Sequence, residues 1–208
     1  VARILLEPQE NSLRWECPLL PTRQPDFTSA SHEMLTRKAG LTYGPAFQCI
    51  DYGWLEGDSA LGVFRIPESI ENEMEECYIH PAILDCTFQL IIQLLRDDVG
   101  IHEGITFVPT RMGRIAFRQN HAKPAFAQAT LLRRAPHSLT AEFALFDSNG
   151  LAIAVVKDAR FRSIRLGKKA ADHLRFLYYH GIPKPHILNP DNTPFIPSKS
   201  VQCAFVKL

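Results

Sequence analysis

Two polar residues, Asp85 and Gln89, stand four positions apart in an otherwise apolar stretch, IHPAILDCTFQLIIQLL at 79–95. Residues at i and i+4 share one face of a helix, so both side chains can reach a single point. Burial raises the pKa of a carboxyl group, and a raised pKa makes that group a usable general acid near neutral pH. Gln89 can hydrogen-bond the carboxyl group and hold its orientation. A structural role stays open as the alternative, because the helix dipole favours a carboxylate near a helix start.

The surrounding pattern predicts an α+β fold with one long central helix. That helix begins at Pro81, a good first helical residue, and runs to about Asp97; its apolar residues occupy more than one face, which is typical of a buried helix. A shorter helix is predicted over 29–40, with Ser31 as N-cap and Gly40 as terminating glycine. The strand-like segments are an entering strand at 2–6, two strands at 46–56 and 59–66, and five period-two strands after the long helix, with DSNG at 147–150 as a hairpin turn. We therefore expect an antiparallel sheet wrapped around the helix.

Other reactive side chains give weaker signals. His80, just before Pro81, has the chemistry of a base, but a histidine that bonds local backbone at the helix entrance is the favoured interpretation. Cys86 lies beside Asp85, yet a buried cysteine acting as a small apolar residue is favoured over a nucleophile. The five cysteines form no C-x-x-C pair and the histidines have no metal-ligand spacing, so we expect neither disulfides nor a metal site.

Composition narrows the class of protein. A formal net charge of +1 gives no sign of a nucleic-acid surface, and no apolar run reaches the roughly 18–20 residues of a membrane span. The first residues do not resemble a signal peptide, and the cysteine pattern favours reduced thiols in the cytoplasm. We predict a connecting segment at 1–30, one domain at 31–166, and a C-terminal part at 167–208. That last part combines a helix at 168–180 with a Pro-rich linker.

Two motifs together indicate a family. YGPAFQ at 43–48 is followed about forty residues later by HPAILDCTFQ at 80–89. This pair resembles the Y-G-P-x-F and H-P-x-x-x-D-x-x-x-Q/H motifs of the C-terminal half of polyketide synthase dehydratase domains. FVPTRMGRIAF at 107–117 and FDSNGLAIAVVKDARFRSI at 146–164 are similar to the strand segments that follow in that family.

The resemblance implies a hotdog fold, here one half of a double hotdog. It implies removal of water from a 3-hydroxyacyl thioester on the phosphopantetheine of an acyl carrier protein, without any other cofactor. Asp85 matches the residue that protonates the departing hydroxyl, Gln89 the residue that supports it, and Tyr43 the residue that helps place the hydroxyl. The residues expected to contact substrate are Gly44, Pro45, Phe47, His80, Pro81 and Pro109.

One family feature is missing from this sequence. The catalytic His of the first hotdog lies in H-x-x-x-G-x-x-x-x-P, and His32, in HEMLTRKAG, lacks the required glycine. The chain is therefore interpreted as a fragment of a synthase, with a split enzyme or a degenerate half as alternatives. Expected partners are a carrier protein, the N-terminal hotdog half and neighbouring synthase domains, or a second copy in a homodimer. A non-catalytic carrier-protein-binding or scaffold module, a product-template cyclase and an isomerase remain alternative functions.

Overall fold

A computed structural model describes residues 15–99, 104–118 and 122–166, together with the backbone of 177–179 and 203–205. The chain divides into two compact units, Val1–Leu166 and Gly167–Leu208. The helices are α1 (Ser29–Lys38), α2 (Glu68–Glu71), α3 (Pro81–Leu94) and α4 (Arg96–Val99), with 3₁₀ turns at Pro45–Phe47 and Met74–Glu76. The strands are β1 (Phe27–Thr28), β2 (Ile50–Glu56), β3 (Ser59–Phe64), β4 (Ile105–Arg111), β5 (Arg114–Phe117), β6 (Phe126–Ala135), β7 (Ser138–Phe146), β8 (Ala152–Arg165), β9 (Leu177–Tyr179) and β10 (Cys203–Phe205).

Helix α1 begins at Ser29, where the predicted range of 29–40 begins, but its N-cap differs from the predicted residue. Thr28 is the N-cap, and its hydroxyl accepts the backbone N–H of Ser31, whose own hydroxyl accepts the backbone N–H of Thr28. The expectation that Ser31 is the N-cap is wrong, because Ser31 supplies the other half of this reciprocal capping box. Gly40 has a φ of +85°, a left-handed conformation that suits glycine after a helix end, as predicted.

Helix α3 is the long buried helix that the apolar pattern predicts. It begins at Pro81 and ends at Leu94, three residues before the expected end at Asp97. Leu95 leaves the helical conformation, with φ −105° and ψ 13°, and Arg96–Val99 forms the separate helix α4. The break explains why the continuous pattern overestimates the length of α3.

One antiparallel sheet of eight strands faces α3. Its order is β1-β2-β3-β6-β7-β8-β4, and β5 pairs with the other end of β8. Strand β1 lies within the predicted connecting segment at 1–30, yet Phe27 pairs with Gly53 and is buried, so the sheet already begins there. Pro109 is tolerated in β4 because that strand lies at the sheet edge, where a missing N–H leaves no partner unpaired.

Aromatic and aliphatic side chains fix α3 against the sheet. The Phe88 ring packs edge-on against Phe143 of β7, with ring centroids 4.8 Å apart, and against Phe161 of β8 at 5.9 Å. Complete burial of a side chain such as Phe143 stabilises the fold by about 1.5–3 kcal/mol. Leu90 lies directly over Gly62 of β3, where an added Cβ would come within 2.6 Å of Leu90 Cδ2. The missing side chain at Gly62 therefore lets the helix approach the sheet.

The C-terminal unit differs from its prediction at one point. Strands β9 and β10 pair antiparallel, with Tyr178 opposite Ala204. The predicted helix over 168–180 is therefore wrong at 177–179, because Leu-Tyr-Tyr suits a pleated strand and pairs with β10. The rest of that predicted helix lies outside the described residues, as does the predicted strand at 2–6.

In the described part of the chain, no single helix is long and apolar enough to cross a membrane. The bent pair Glu68–Glu76 and Pro81–Leu94 meets the requirement by length and composition alone.

Candidate active site

Helix α3 places Asp85 and Gln89 in direct contact, as their spacing predicts. The Gln89 Nε2 group donates to Asp85 Oδ2 at 3.0 Å and to the backbone carbonyl oxygen of Phe47 at 3.0 Å. Phe47 ends the 3₁₀ turn of the YGPAFQ motif, so the two motifs meet at this amide. Gln89 is only 4% exposed, whereas Asp85 is half-buried. The carboxyl group is therefore held from the protein side while part of it stays accessible.

A third residue joins this pair from helix α1. His32 is 6% exposed, and its Nε2 lies 3.1 Å from Gln89 Oε1. The other ring nitrogen, Nδ1, lies 2.8 Å from Nε2 of Gln93, one turn further along α3. Asp85, Gln89, His32 and Gln93 thus form one continuous chain of hydrogen bonds, which we call the α1–α3 relay.

Asp85 and Gln89 line a cavity of about 890 Å³ within the first unit. This volume lies in the range of small-molecule sites. Its wall is mostly apolar: Ala39, Leu41, Phe88, Ile91, Ile92, Leu95, Ile105, Phe107, Val108, Pro109, Ala135, Pro136 and Phe161. Polar groups also reach it, from Tyr43, Asp85, Gln89, Thr106, Arg134, His137, Ser163 and Arg165. The arrangement can bind an apolar chain and present one carboxyl group to it.

The electrostatics of the cavity favour protonated acids. Burial raises the pKa of Asp85, and the hydrogen bond from Gln89 partly opposes that rise because it favours the carboxylate. Burial also raises the pKa of Tyr43, and the negative charge that Asp85 carries when ionised raises it further. The phenol therefore keeps its proton. Asp85 can therefore hold a proton at a higher pH than an exposed aspartate, and Tyr43 can donate an O–H hydrogen bond.

Cys86 is no nucleophile in this arrangement. Its pKa is raised, first by a hydrogen bond with Cys49 and then by burial, and its Sγ donates to the Phe47 carbonyl oxygen at 3.2 Å. A thiol that holds its proton packs as a small apolar residue, as the sequence favours.

The structure separates the remaining predicted residues into two groups. Pro109 lines the cavity beside Asp85 and Tyr43. Gly44, Pro45, Phe47, His80 and Pro81 are not among the lining residues, although Phe47 contributes its carbonyl to Gln89. Substrate contact by these five residues stays a prediction.

His80 has a local role at the start of α3. Its Nδ1 accepts the backbone N–H of Ala82 at 3.2 Å, and its Nε2 lies 3.1 Å from Glu73 Oε2. These contacts cap the helix, which matches the structural interpretation of this histidine and leaves both ring nitrogens engaged.

Sequence reasoning missed seven polar residues of this region: His32 and Gln93 of the relay, and Thr106, Arg134, His137, Ser163 and Arg165 at the cavity. His32 stands out in the sequence only as a mismatch to the family motif, and the burial of His32 and Thr36 on one face of α1 is seen only in the structure. Arg134 lies near the end of β6, His137 lies in the β6–β7 turn, and Arg165 ends β8. No local signal places these three at the cavity, because that depends on how the sheet curves around α3.

No group of three or more histidine, cysteine or acidic side chains could hold a metal ion in the described part of the chain. The charged groups at the cavity are one carboxyl group and two guanidinium groups. These residues suit an organic ligand better than a divalent cation.

Solved dehydratase domains share this fold. The dehydratase domain from the CurJ module of curacin polyketide synthase is 24% identical, covers 67% of this chain and 49% of its own, and gives a TM-score of 0.58. A trans-AT polyketide synthase dehydratase domain from Brevibacillus brevis is 19% identical, with 67% and 48% covered and a TM-score of 0.60. The dehydratase domain of PpsC from Mycobacterium tuberculosis, in complex with C12:1-CoA, is 24% identical, with 71% and 55% covered and a TM-score of 0.58. The chain thus spans about half the length of these structures, and the predicted hotdog fold is confirmed.

Family-level similarity extends over most of the chain. No curated protein matches the sequence significantly. The family described as "Polyketide synthase dehydratase N-terminal domain" matches residues 20–171, which include both motifs, α3 and all eight strands of the main sheet. This match does not test the more specific expectation of a C-terminal hotdog half, which stays a prediction. On this match, the chain belongs to the polyketide synthase dehydratase family.

Proposed function

We propose that this chain supplies the proton-donating half of a dehydratase active site that acts on a 3-hydroxyacyl thioester carried by an acyl carrier protein. A base removes the α-proton, and the electron pair of the broken carbon–hydrogen bond forms the new carbon–carbon double bond. The bond from the β-carbon to the hydroxyl oxygen breaks, and Asp85 transfers its proton to that oxygen, which leaves as water. Asp85 remains as a carboxylate, which the N–H of Gln89 stabilises.

One observation carries this proposal: a half-buried carboxyl group with a raised pKa lies in the wall of an apolar cavity, in a chain of this family. An ordinary exposed aspartate is ionised at neutral pH and has no proton to donate. Tyr43 lines the same cavity with a protonated phenol, which suits a role in placing the substrate hydroxyl.

The cavity wall suits a thioester of the carrier-bound kind. The apolar side chains match an acyl chain, and Arg134 and Arg165 bring positive charge that suits the phosphate of a pantetheine arm. The PpsC dehydratase domain was solved in complex with an acyl-CoA, and acyl-CoA contains the same pantetheine arm. We therefore propose an acyl carrier protein in the cytoplasm as the partner, with no further cofactor.

The base that removes the α-proton is proposed to come from the partner hotdog half, because the family motif that carries it is absent from this sequence. His32 and His80 do not line the cavity, whereas His137 does. The isolated chain should turn over about 10²–10⁴ times more slowly than the complete domain. Efficient turnover by the isolated chain would make His137 the first residue to replace.

The test measures enoyl thioester formation from a 3-hydroxyacyl pantetheine thioester by mass spectrometry, with this chain joined to the N-terminal hotdog half of its synthase. Asp85→Asn keeps the side-chain shape and removes the proton donor, so turnover should fall about 10²–10⁴-fold. Asp58→Asn, at the exposed turn between β2 and β3, is the matched control and should leave turnover unchanged. Near-normal turnover of Asp85→Asn would refute the assigned role.

The second candidate is a non-catalytic module that binds a carrier protein or braces the synthase. The missing base motif favours it, and the α1–α3 relay argues against it because an inactive site has no need of an oriented carboxyl group. Carrier-protein binding that is unaffected by Asp85→Asn, with no product from either protein, would support the module.

A further inference from the structure

His32 is the one residue of the α1–α3 relay that approaches α3 from another helix. It is buried in α1 and does not line the cavity, so it does not touch a bound substrate. Its two ring nitrogens instead meet the side-chain amides of Gln89 and Gln93, 57 and 61 residues away in the sequence.

The donors and acceptors around Gln89 allow one consistent arrangement. The Phe47 carbonyl oxygen only accepts, so Gln89 directs its N–H₂ group toward Phe47 and Asp85, and its Oε1 toward His32. His32 must then donate through Nε2–H, which leaves Nδ1 to accept from the Gln93 amide. Both ring nitrogens are satisfied in the neutral Nε2–H tautomer, and burial lowers the pKa of His32, which also favours the neutral ring.

This arrangement decides which oxygen of Asp85 carries the proton. Oδ2 accepts the Gln89 N–H, so the proton of the neutral carboxyl group resides on Oδ1. If Gln89 turned its amide over, Oε1 would face Asp85, accept that proton and withhold it from a bound hydroxyl. The Phe47 carbonyl opposes this rotation from one side of the amide, and His32 opposes it from the other.

We infer that His32 is a positioning residue for proton donation by Asp85, acting through Gln89 from outside the cavity. The inference rests on the proposed function. Replacement of His32 leaves Oε1 of an almost fully buried amide without its donor and weakens the N–H bond to Asp85, because hydrogen bonds in a chain polarise one another.

The first test uses the unsubstituted 208-residue chain and needs no activity. Nitrogen-15 NMR of the histidine rings should show His32 as the neutral Nε2–H tautomer throughout the neutral pH range. A population of the Nδ1–H tautomer would overturn the inference, because Gln89 would lose its donor. A ring that is protonated at neutral pH would also overturn it, because Gln93 would lose its acceptor.

The second test follows the Asp85 carboxyl carbon by NMR in variants of the same chain. His32→Phe keeps a ring and removes the donor, so the pKa of Asp85 should rise as the Gln89 bond that favours the carboxylate weakens. His32→Gln restores a donor to Gln89 and an acceptor for Gln93 and should return the pKa toward that of the unsubstituted chain. Thr36→Val, which removes another buried polar group from α1, is the matched control and should leave it unchanged.

The titration of Asp85 is interpretable because two neighbouring groups that interact with its charge, Tyr43 and Cys86, keep their protons. Tyr43 and Cys86 both interact with the Asp85 charge, and the pKa values of both are raised. They keep their protons while Asp85 ionises, so a change caused by His32→Phe reports on the relay. An Asp85 pKa that is the same in all variants would overturn the inference.

Turnover of the complete domain separates this inference from the proposed function. His32→Phe should lower kcat about twofold to tenfold, the effect of losing one neutral hydrogen bond, with KM unchanged, and His32→Gln should recover part of the loss. A loss of kcat that His32→Gln does not recover would overturn the positioning role. If Asp85→Asn is fully active while the pKa of Asp85 still responds to His32, the relay stands and the proposed role of Asp85 as the acid fails.

Discussion

The stability that Asp85→Asn gains over the unsubstituted chain should increase as the pH rises. The pKa of Asp85 is raised in the folded protein because burial outweighs the hydrogen bond from Gln89. The folded chain therefore binds more protons than the unfolded chain at pH values between the two pKa values. The stability associated with Asp85 is fully present below the unfolded pKa, near 3.9, and is lost as the pH rises through the folded pKa.

The size of the effect follows from this difference in proton binding. Every pKa unit that separates the folded from the unfolded chain is worth about 1.4 kcal/mol in the free energy of unfolding. Asn has no proton to lose, so this loss is absent from the variant. Gln89→Ala removes the bond that favours the carboxylate, and a hydrogen bond to a charged group contributes about 1.5–3 kcal/mol. The advantage of Asn over Asp at neutral pH should therefore grow in the Gln89→Ala background.

Urea unfolding, monitored by circular dichroism from about pH 4 to pH 8, measures these differences in four chains. They are the unsubstituted chain, Asp85→Asn, Gln89→Ala and the double variant. Subtracting the unfolding free energy of the unsubstituted chain from that of Asp85→Asn cancels the pH dependence of all other groups. The pH-dependent part of this difference should be near zero at about pH 4 and should favour Asn increasingly up to neutral pH. A difference that does not change with pH, or that shifts toward Asp as the pH rises, would refute the argument that burial holds a proton on Asp85.

Three further substitutions probe the supporting structure. In the complete domain, Gln89→Ala should reduce turnover less than Asp85→Asn, because it removes an orienting bond and leaves the proton; an equal loss would contradict this order. His80→Ala removes the side-chain cap of α3 and should cost about 1 kcal/mol of stability, measured by urea unfolding. Gly62→Ala should cost about 1–3 kcal/mol in the same assay, because its Cβ meets Leu90 at 2.6 Å, and an unchanged unfolding midpoint would show that the helix shifts freely.

The sequence determined the features that lie within single elements. The apolar run after Pro81 predicted α3, and the spacing of Asp85 and Gln89 predicted their contact, since a helix brings i and i+4 together whatever packs around it. Period-two patterns and the DSNG turn predicted the later strands. The family motifs singled out the carboxyl group of Asp85 as the proton donor, and this role stays a prediction.

The tertiary structure decided everything that joins residues distant in the chain. It brought His32 onto Gln89 and placed Arg134 and His137 at the same cavity as Asp85. It also decided local details by competition: Thr28 rather than Ser31 caps α1, and Leu177–Tyr179 pairs as a strand. Periodicity reports which face of an element is buried, but it carries no information about which other element covers that face. The closure of the sheet around α3 supplies that information, because only there do side chains from distant segments compete for the same space and hydrogen bonds.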